Sequence, residues 1–433
     1  MLGDSDRTSR DAERQRPEVP TAGTAVGESE GKTIGGAAMS GQGPLAGVRV
    51  LDLCRLLPGG FATRILAEMG AEIIKIESPP GGDPSRAFAP FKNGVSYHHM
   101  TINGGKKSFS LNLKGEGKAV FHDLAATADV IIENNRPGVA ARLGIDYATL
   151  RPLNPRLIYC SLSGFGQVSP LQNAPGFDLN FSALGGILAV QPHGEGGVPT
   201  IPGIPHADVS SGLWTAIAVL GALQARTRTG EGQFVDVAMQ DSVISLLTIT
   251  AGRHFVEPEA PLSSDFNNSA TYNVYATSDN RHVTLAAFDD TFWTRFCRAV
   301  NRPDLEPYVF NNTEDRARVL AEVRSIFRQR SLAEWEKLLT EYDVSFAPVL
   351  SLAEVFRHPH VMARGLVQEI EHPLAGKVRQ IAHPVKYEAT PAIVVSAAPE
   401  LGIDTRSILH ELGYDDGRID QLATAGVIGT DLF

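Results

Sequence analysis

Cysteine is scarce in this chain: three thiols, Cys54, Cys160 and Cys297, in 433 residues. They lie far apart and form no CxxC pair, which argues against a disulfide framework or a zinc site and predicts a metal-free protein of a reducing, cytoplasmic compartment. Positive charge is also in short supply. A net charge of −10 leaves no basic footprint for nucleic acid or for an anionic membrane surface. An anionic small ligand would therefore need a local cluster of cations. Long hydrophobic runs are missing too: the longest, inside 212–223, falls short of the ~18 residues of a membrane span and suits a buried helix. Phosphate signatures are absent. "GFGQVSP" (164–170) lacks the G-x-G-x-x-G spacing, and "NGGKKS" (103–108) lacks the outer glycine and Lys-Ser/Thr order of a P-loop.

What is present is ample core material, 43% hydrophobic and 20% charged residues, in a chain long enough for a main domain and a smaller one. Residues 1–43 are polar and glycine-rich, without the apolar stretch of a secretory signal, and read as a disordered leader. Met39-Ser40 stands just before the first strand, so 1–38 are expected to be a dispensable extension or the product of an upstream start.

Beyond the leader, strand and helix alternate. "VRVLDL" (48–53), "EIIKIE" (72–77), "SFSLNL" (108–113), "DVIIE" (129–133), "RLIYCSL" (156–162) and "FVDVAM" (234–239) read as strands. Helices are expected at 59–70, near 116–127, over 209–223 and from near Asp241. The pattern predicts an α/β fold with a parallel sheet covered on both faces and ligands at the carboxyl ends of its strands. The 209–223 helix is apolar on nearly every face and is expected to be central. After about residue 260 the texture changes to a hairpin over 273–288, turning at Asp279-Asn280, and then to helices, one with a Ser331–Glu334 capping box. The expected division is a large domain over 44–245, a smaller α+β domain over 262–365, and a segment over 366–433 that returns to the large domain.

The stretch "HADVSSGLW" puts Asp208 just ahead of the apolar run. An Asp in that place is ordinarily an N-cap. The same place keeps a carboxylate ionised and offers N–H groups to an oxyanion, and Ala207, Ser210, Ser211 and Gly212 are small enough to leave room for an acyl group. The residues alone leave both readings open.

Four ordered segments add to them: "PLAGVRVLDLCRLLPGGFATRILAEMGAEIIKIESPPGGDPSR" (44–86), "GKKSFSLNLKGEGK" (105–118), "VIIENNRPGVAARLG" (130–144) and "ADVSSGLWTAIAVLGALQARTRTGEGQFVDVAMQDS" (207–242). Together with "SFAPVLSLAEVFRHPHV" (345–361) and "DTRSILHELGYDDGRIDQL" (404–422), they closely resemble the family III CoA-transferases, a superfamily that includes formyl-CoA transferase, carnitine-CoA transferase and α-methylacyl-CoA racemase. The resemblance implies a Rossmann-like large domain, a small domain and an interlocked homodimer. It implies acyl-CoA and a carboxylic acid as substrates, with Asp208 as the nucleophile that passes through a mixed anhydride and an enzyme–CoA thioester. Asp178 matches a second acid of the pocket. Racemases of the superfamily usually have His just before it; Phe177 stands there instead, which favours transfer over two-base isomerisation. The alternatives are a racemase-type isomerase and a non-catalytic acyl-CoA-binding protein. For CoA, the resemblance points to Lys107, Lys114, Arg136 and Arg142, with Lys114 and Arg142 preferred as the phosphate pair, and to Leu57 and Leu111 along the CoA-side loops. Leu57 and Ser78 depart from Gln and a basic residue found in some members. The segment 263–273 stands where many transferases carry a glycine-rich lid, and it has no glycine run.

Overall fold

The computed structural model describes residues 43–259, 269–308, 315–393 and 395–429. Residues 1–42 of the expected leader and most of the 263–273 segment lie outside that description.

Six parallel strands form the main sheet: β1 (Arg49–Asp52), β2 (Glu72–Glu77), β5 (Lys106–Ser110), β6 (Val130–Glu133), β7 (Ile158–Ser163) and β8 (Phe234–Ala238), with a minimal hairpin, β3 (Phe91–Lys92) and β4 (Val95–Ser96), between β2 and β5. The order across the sheet is β5-β2-β1-β6-β7-β8, and every neighbouring pair is parallel. The strand order reverses between β1 and β6, the switch point at which such sheets open a crevice outside their carboxyl ends. Successive residues serve opposite faces, as a two-residue repeat requires. Val50, Ile73 and Ile132 pack with Leu66, Ala216 and Val219 on one side, while Leu51, Ile74 and Ile131 pack with Phe121, Leu124, Ile408, Leu409 and Leu422 on the other. Burial on both faces explains why the strands read as continuous apolar runs.

β5 begins two residues before the expected 108. Lys106 and Lys107 read as loop because of their charge, but the Lys106 ammonium is buried on Asp52 at 3.0 Å. The long helix spans His206–Thr229, and it departs from the expectation of burial all round. Its inward face is made of small residues, Ala207, Ser211, Gly212, Thr215 and Ala216, which allow close approach to the helix Leu57–Glu68. Its large residues Leu213, Trp214 and Ile217 face outward at 44%, 43% and 52% exposure.

β9 (Tyr272–Ala276), β10 (His282–Ala286) and β11 (Phe346–Pro348) form an antiparallel sheet in the order β11-β10-β9. Its core holds Tyr275, Trp293, Phe296, Phe327 and Trp335. The β9–β10 turn is longer than the expected two residues. Thr277 N–H donates to the Arg281 carbonyl at 2.9 Å, leaving Ser278, Asp279 and Asn280 to turn the chain, with Asn280 left-handed at φ 57°. The Ser331–Glu334 capping box forms as expected. No helix among the described residues is long and apolar enough to cross a membrane.

Candidate active site

The carboxyl ends of β1, β2, β5 and β6 open onto a cavity of about 180 Å³ whose walls include Cys54, Arg55, Ser78, Leu111, Lys114 and Asn135. Beneath it lies a buried charged cluster. Lys75, in the middle of an otherwise apolar strand, meets Asp83 at 2.8 Å and Asp52 at 3.9 Å. Lys106 meets Asp52 at 3.0 Å, and Arg86 grips Glu77 through two nitrogens at 2.6 and 2.8 Å. Three cations face three carboxylates, so each charge is compensated, as burial demands. Burial opposes the Lys75 charge, but Asp52, Asp83 and Glu77 overcome it and raise the ammonium pKa. For Lys106 burial prevails and its pKa falls. Burial would also raise the Asp83 and Glu77 carboxyls; Lys75 holds Asp83, and Arg86 holds Glu77, below the ordinary carboxylate range. Cys54, in the cavity wall, is not a ready nucleophile, because burial and then the Asp52 charge push its thiol well up.

The two candidate acids meet at the start of the long helix. Asp178 opens the helix Asp178–Leu184, and its Oδ1 accepts from the backbone N–H of Ala207 at 2.7 Å and of Asp208 at 3.1 Å. Asp178 thus caps the long helix from outside it. Asp208 is the third residue of that helix, after Pro205 at the N-cap position, and is no cap itself. Among the described residues no donor is recorded for its half-buried carboxylate. Burial first, and the Asp178 charge second, push its pKa up to about 7. The helix start therefore does not keep Asp208 fully ionised at neutral pH, contrary to expectation, because desolvation and a like charge outweigh the helix end. One turn further, Gly212 abuts the helix Leu57–Glu68: a Cβ there would lie 2.8 Å from the Pro58 carbonyl oxygen and 3.0 Å from the Phe61 ring.

The expected CoA-side residues separate into two groups. Leu111 and Lys114 line the cavity, and Leu143, beside Arg142, does too. Arg136 is exposed in the loop after β6, and Leu57 opens the helix that follows the cavity loop Leu53–Arg55. Lys107 is elsewhere: it pairs with Glu72, the first residue of β2, at 2.6 Å and with Glu411 at 3.6 Å, away from the carboxyl edge. Arg86 is engaged by Glu77 and the Pro399 carbonyl. Phe177, beside Asp178, is 75% exposed and brings no imidazole to the acid pair. Sequence reasoning missed Lys75, Arg55, Asn135 and the buried Glu133. A lysine inside "EIIKIE" was the available signal, since a charge amid a two-sided apolar strand requires a buried partner. Glu133 accepts from the Ser161 hydroxyl and the backbone N–H of Asn135, and burial raises its pKa.

A parallel sheet with a cleft at its switch point and a pair of acids on a nearby helix start defines an α/β protein built to bind and process a small ligand. The chain belongs to CoA-transferase family III, whose family model matches residues 45–405. It is 34% identical over 395 residues to a succinyl-CoA:glutarate CoA-transferase of Mus musculus, covering 89% of this chain and 90% of that one. It is 35% identical over 399 residues to a succinyl-CoA:mesaconate CoA-transferase of Haloarcula marismortui, covering 87% and 98%. A crystal structure of a CAIB/BAIF family protein from Brucella suis superimposes with a TM-score of 0.76 at 28% identity, covering 86% of this chain and all of that one. The protein is an enzyme that transfers CoA.

Proposed function

We propose that the enzyme moves CoA from an acyl-CoA donor to a carboxylic acid by covalent catalysis at Asp208. The observation that carries this reading is that, among the described residues, the Asp208 carboxylate has no hydrogen-bond donor, at a helix start whose cap comes from Asp178. An Oδ of ionised Asp208 attacks the thioester carbonyl, and CoA thiolate leaves, forming a mixed anhydride. The thiolate then attacks the Asp208 acyl carbon, releasing the first acid as its carboxylate and leaving an aspartyl–CoA thioester. The acceptor carboxylate repeats the sequence in reverse and departs as the new CoA ester. No net proton or electron is required. Water would intercept each intermediate, so the site must close over them.

Lys114 and Arg142 are our proposed phosphate contacts, with Arg136 near them, and Leu57 and Leu111 line the path of the CoA arm. The succinyl-CoA-dependent activities named for the relatives make dicarboxylates the first acceptors to test. The exposed apolar face of the long helix and its neighbours, with Trp214, Ile217, Ile249 and Phe255 at 43%, 52%, 79% and 81%, supports coverage by a second copy of the chain.

The test incubates the enzyme with succinyl-CoA, traps with hydroxylamine or borohydride, and looks for a mass change on the Asp208 peptide. Asp208→Ala should fold and lose exchange by at least about a thousandfold. Retained exchange in that variant refutes the assignment. Deuterium uptake at the α-carbon of a 2-methylacyl-CoA, with no acceptor acid, would favour isomerisation instead.

A further inference from the structure

In the four-residue connection Leu53–Leu56 between β1 and the helix Leu57–Glu68 the chain turns at Cys54–Leu56, and the last residue has φ 61° and ψ −155°. That combination belongs almost wholly to glycine, because a Cβ crowds the flanking peptide groups. Leucine persists there only if its surroundings over-determine the backbone, and they do. Cys54 N–H donates to Asp52 Oδ1 at 2.9 Å, Lys75 Nζ donates to the Cys54 carbonyl at 2.8 Å, Arg55 N–H donates to Asn134 Oδ1 at 2.9 Å, Asn134 Nδ2 donates to the Arg55 carbonyl at 2.8 Å, and Leu56 N–H donates to Asp83 Oδ1 at 3.3 Å. Four side chains thus hold the turn, and three of them belong to the buried charged cluster. Its two sides bear on the chemistry. Cys54 and Arg55 line the cavity. At the other side, Pro58 and Phe61 meet Gly212, four residues after Asp208 on one helix face.

We propose that the clamped Cys54–Leu56 turn is a positioning element for acyl transfer, holding the thioester end of the bound CoA ester at a set distance from Asp208, with Asn134, Lys75 and Asp83 as positioning residues. The inference rests on the CoA-transfer reading above and deepens it. Backbone strain at a cavity wall is retained because the reacting carbonyl must sit within a fraction of an ångström of the attacking oxygen.

Two variants test it: Leu56→Gly, which removes the strain, and Asn134→Ala, which removes two clamps and leaves the buried cluster whole. Both should bind CoA within about threefold of the parent and unfold within a few degrees of it; kcat for succinyl-CoA exchange should fall about 30- to 100-fold in Asn134→Ala and stay within about threefold of the parent in Leu56→Gly, whose clamps are intact. Asn134→Asp keeps an acceptor for Arg55 N–H but loses the donor to its carbonyl, and should lie between. A purely structural turn predicts that kcat follows unfolding temperature. Unchanged kcat in Asn134→Ala, or a rise in KM and CoA Kd with kcat preserved, overturns the positioning role while wild-type exchange leaves the function intact. Absence of exchange in the wild-type enzyme across the acid panel defeats the function itself and this inference with it.

Discussion

The two ends of the parallel sheet carry similar ion pairs in opposite settings. At the amino end, Glu72 is flanked by Arg49 at 2.6 Å and Lys107 at 2.6 Å, with side chains 25–38% exposed. Under the carboxyl end, Lys75–Asp83 and Lys106–Asp52 are hardly longer, at 2.8 and 3.0 Å, but their side chains are at most 1% exposed. Distance alone does not distinguish them; solvent does. Water screens the first set, so its pairs adjust with little consequence. The second set has no such relief and becomes rigid scaffolding for the wall above it. Neither set is free for a ligand. Near the carboxyl edge, Arg55, Lys114, Arg136 and Arg142 have no carboxylate partner among the described residues, which is why the proposed phosphate contacts are drawn from them.

The largest effect that would break this contrast is in stability. Lys75→Met leaves Asp52 and Asp83 buried with less compensation and should cost about 3–5 kcal/mol. Lys107→Met, at the wet end, should cost less than about 1 kcal/mol. Denaturant titration of both variants measures the difference, and equal costs would mean that the two ends are not electrostatically distinct.

The next contrast is in binding. Lys114→Ala and Arg142→Ala should each raise KM for the CoA ester about 5- to 30-fold, as loss of a charge-assisted phosphate contact implies. Lys107→Ala should leave KM unchanged. Steady-state kinetics over the three variants decides whether the phosphates lie at the carboxyl edge. A KM effect at Lys107 alone would move them to the other end.

This distinction was only partly legible in the sequence. The alternation of strands and helices, and so the parallel sheet, followed from apolar runs punctuated by glycine. The family pattern grouped Lys107 with Lys114, because both are basic residues around one strand. Their separation depends on where β5 begins and ends, and Lys106 disguised its beginning: a buried lysine looks like loop until its carboxylate, 54 positions away in sequence, is known. Asp208 posed the same difficulty. Cap and reagent could not be told apart locally, since the true cap, Asp178, comes from another helix 30 positions earlier. The outward face of the long helix reads as core in the sequence because hydrophobicity alone does not say which large residues stay exposed, as Leu213, Trp214 and Ile217 do.

Carboxylates at the two ends should also respond to pH with opposite sign. The Glu72 pKa is lowered: burial would raise it, but Lys107 and Arg49 outweigh that effect. Its contribution to stability is therefore present above about pH 4.5 and lost as the solution is acidified. Asp208 is raised to about 7, so the folded protein binds its proton more tightly than the unfolded chain does. That stabilising contribution is full below about pH 4 and disappears as pH climbs through 7. Asp208→Asn should consequently leave stability unchanged near pH 4.5 and raise it by about 1–2 kcal/mol at pH 8, allowing for partial exposure. Denaturation at the two pH values checks the sign. A variant less stable than the parent at pH 8 would show that the ionised carboxylate is stabilised by contacts other than those described.

The smallest effect separates the two causes of the Asp208 shift. On the proposed mechanism exchange needs the ionised form, so kcat/KM should rise with pH through about 7 and level off above it. Asp178→Asn removes the repelling charge while its amide oxygen can still accept from the Ala207 and Asp208 N–H groups. Since burial is the larger cause and is untouched, the midpoint should move down by less than about one unit. Asp178→Ala removes the cap as well and should add about 1 kcal/mol of destabilisation to the same acid displacement. A midpoint that stays in place in Asp178→Asn would assign the whole shift to desolvation. One that moves upward would mean that the titrating group is not Asp208, and the carboxylate at the helix start would lose its claim to the first step.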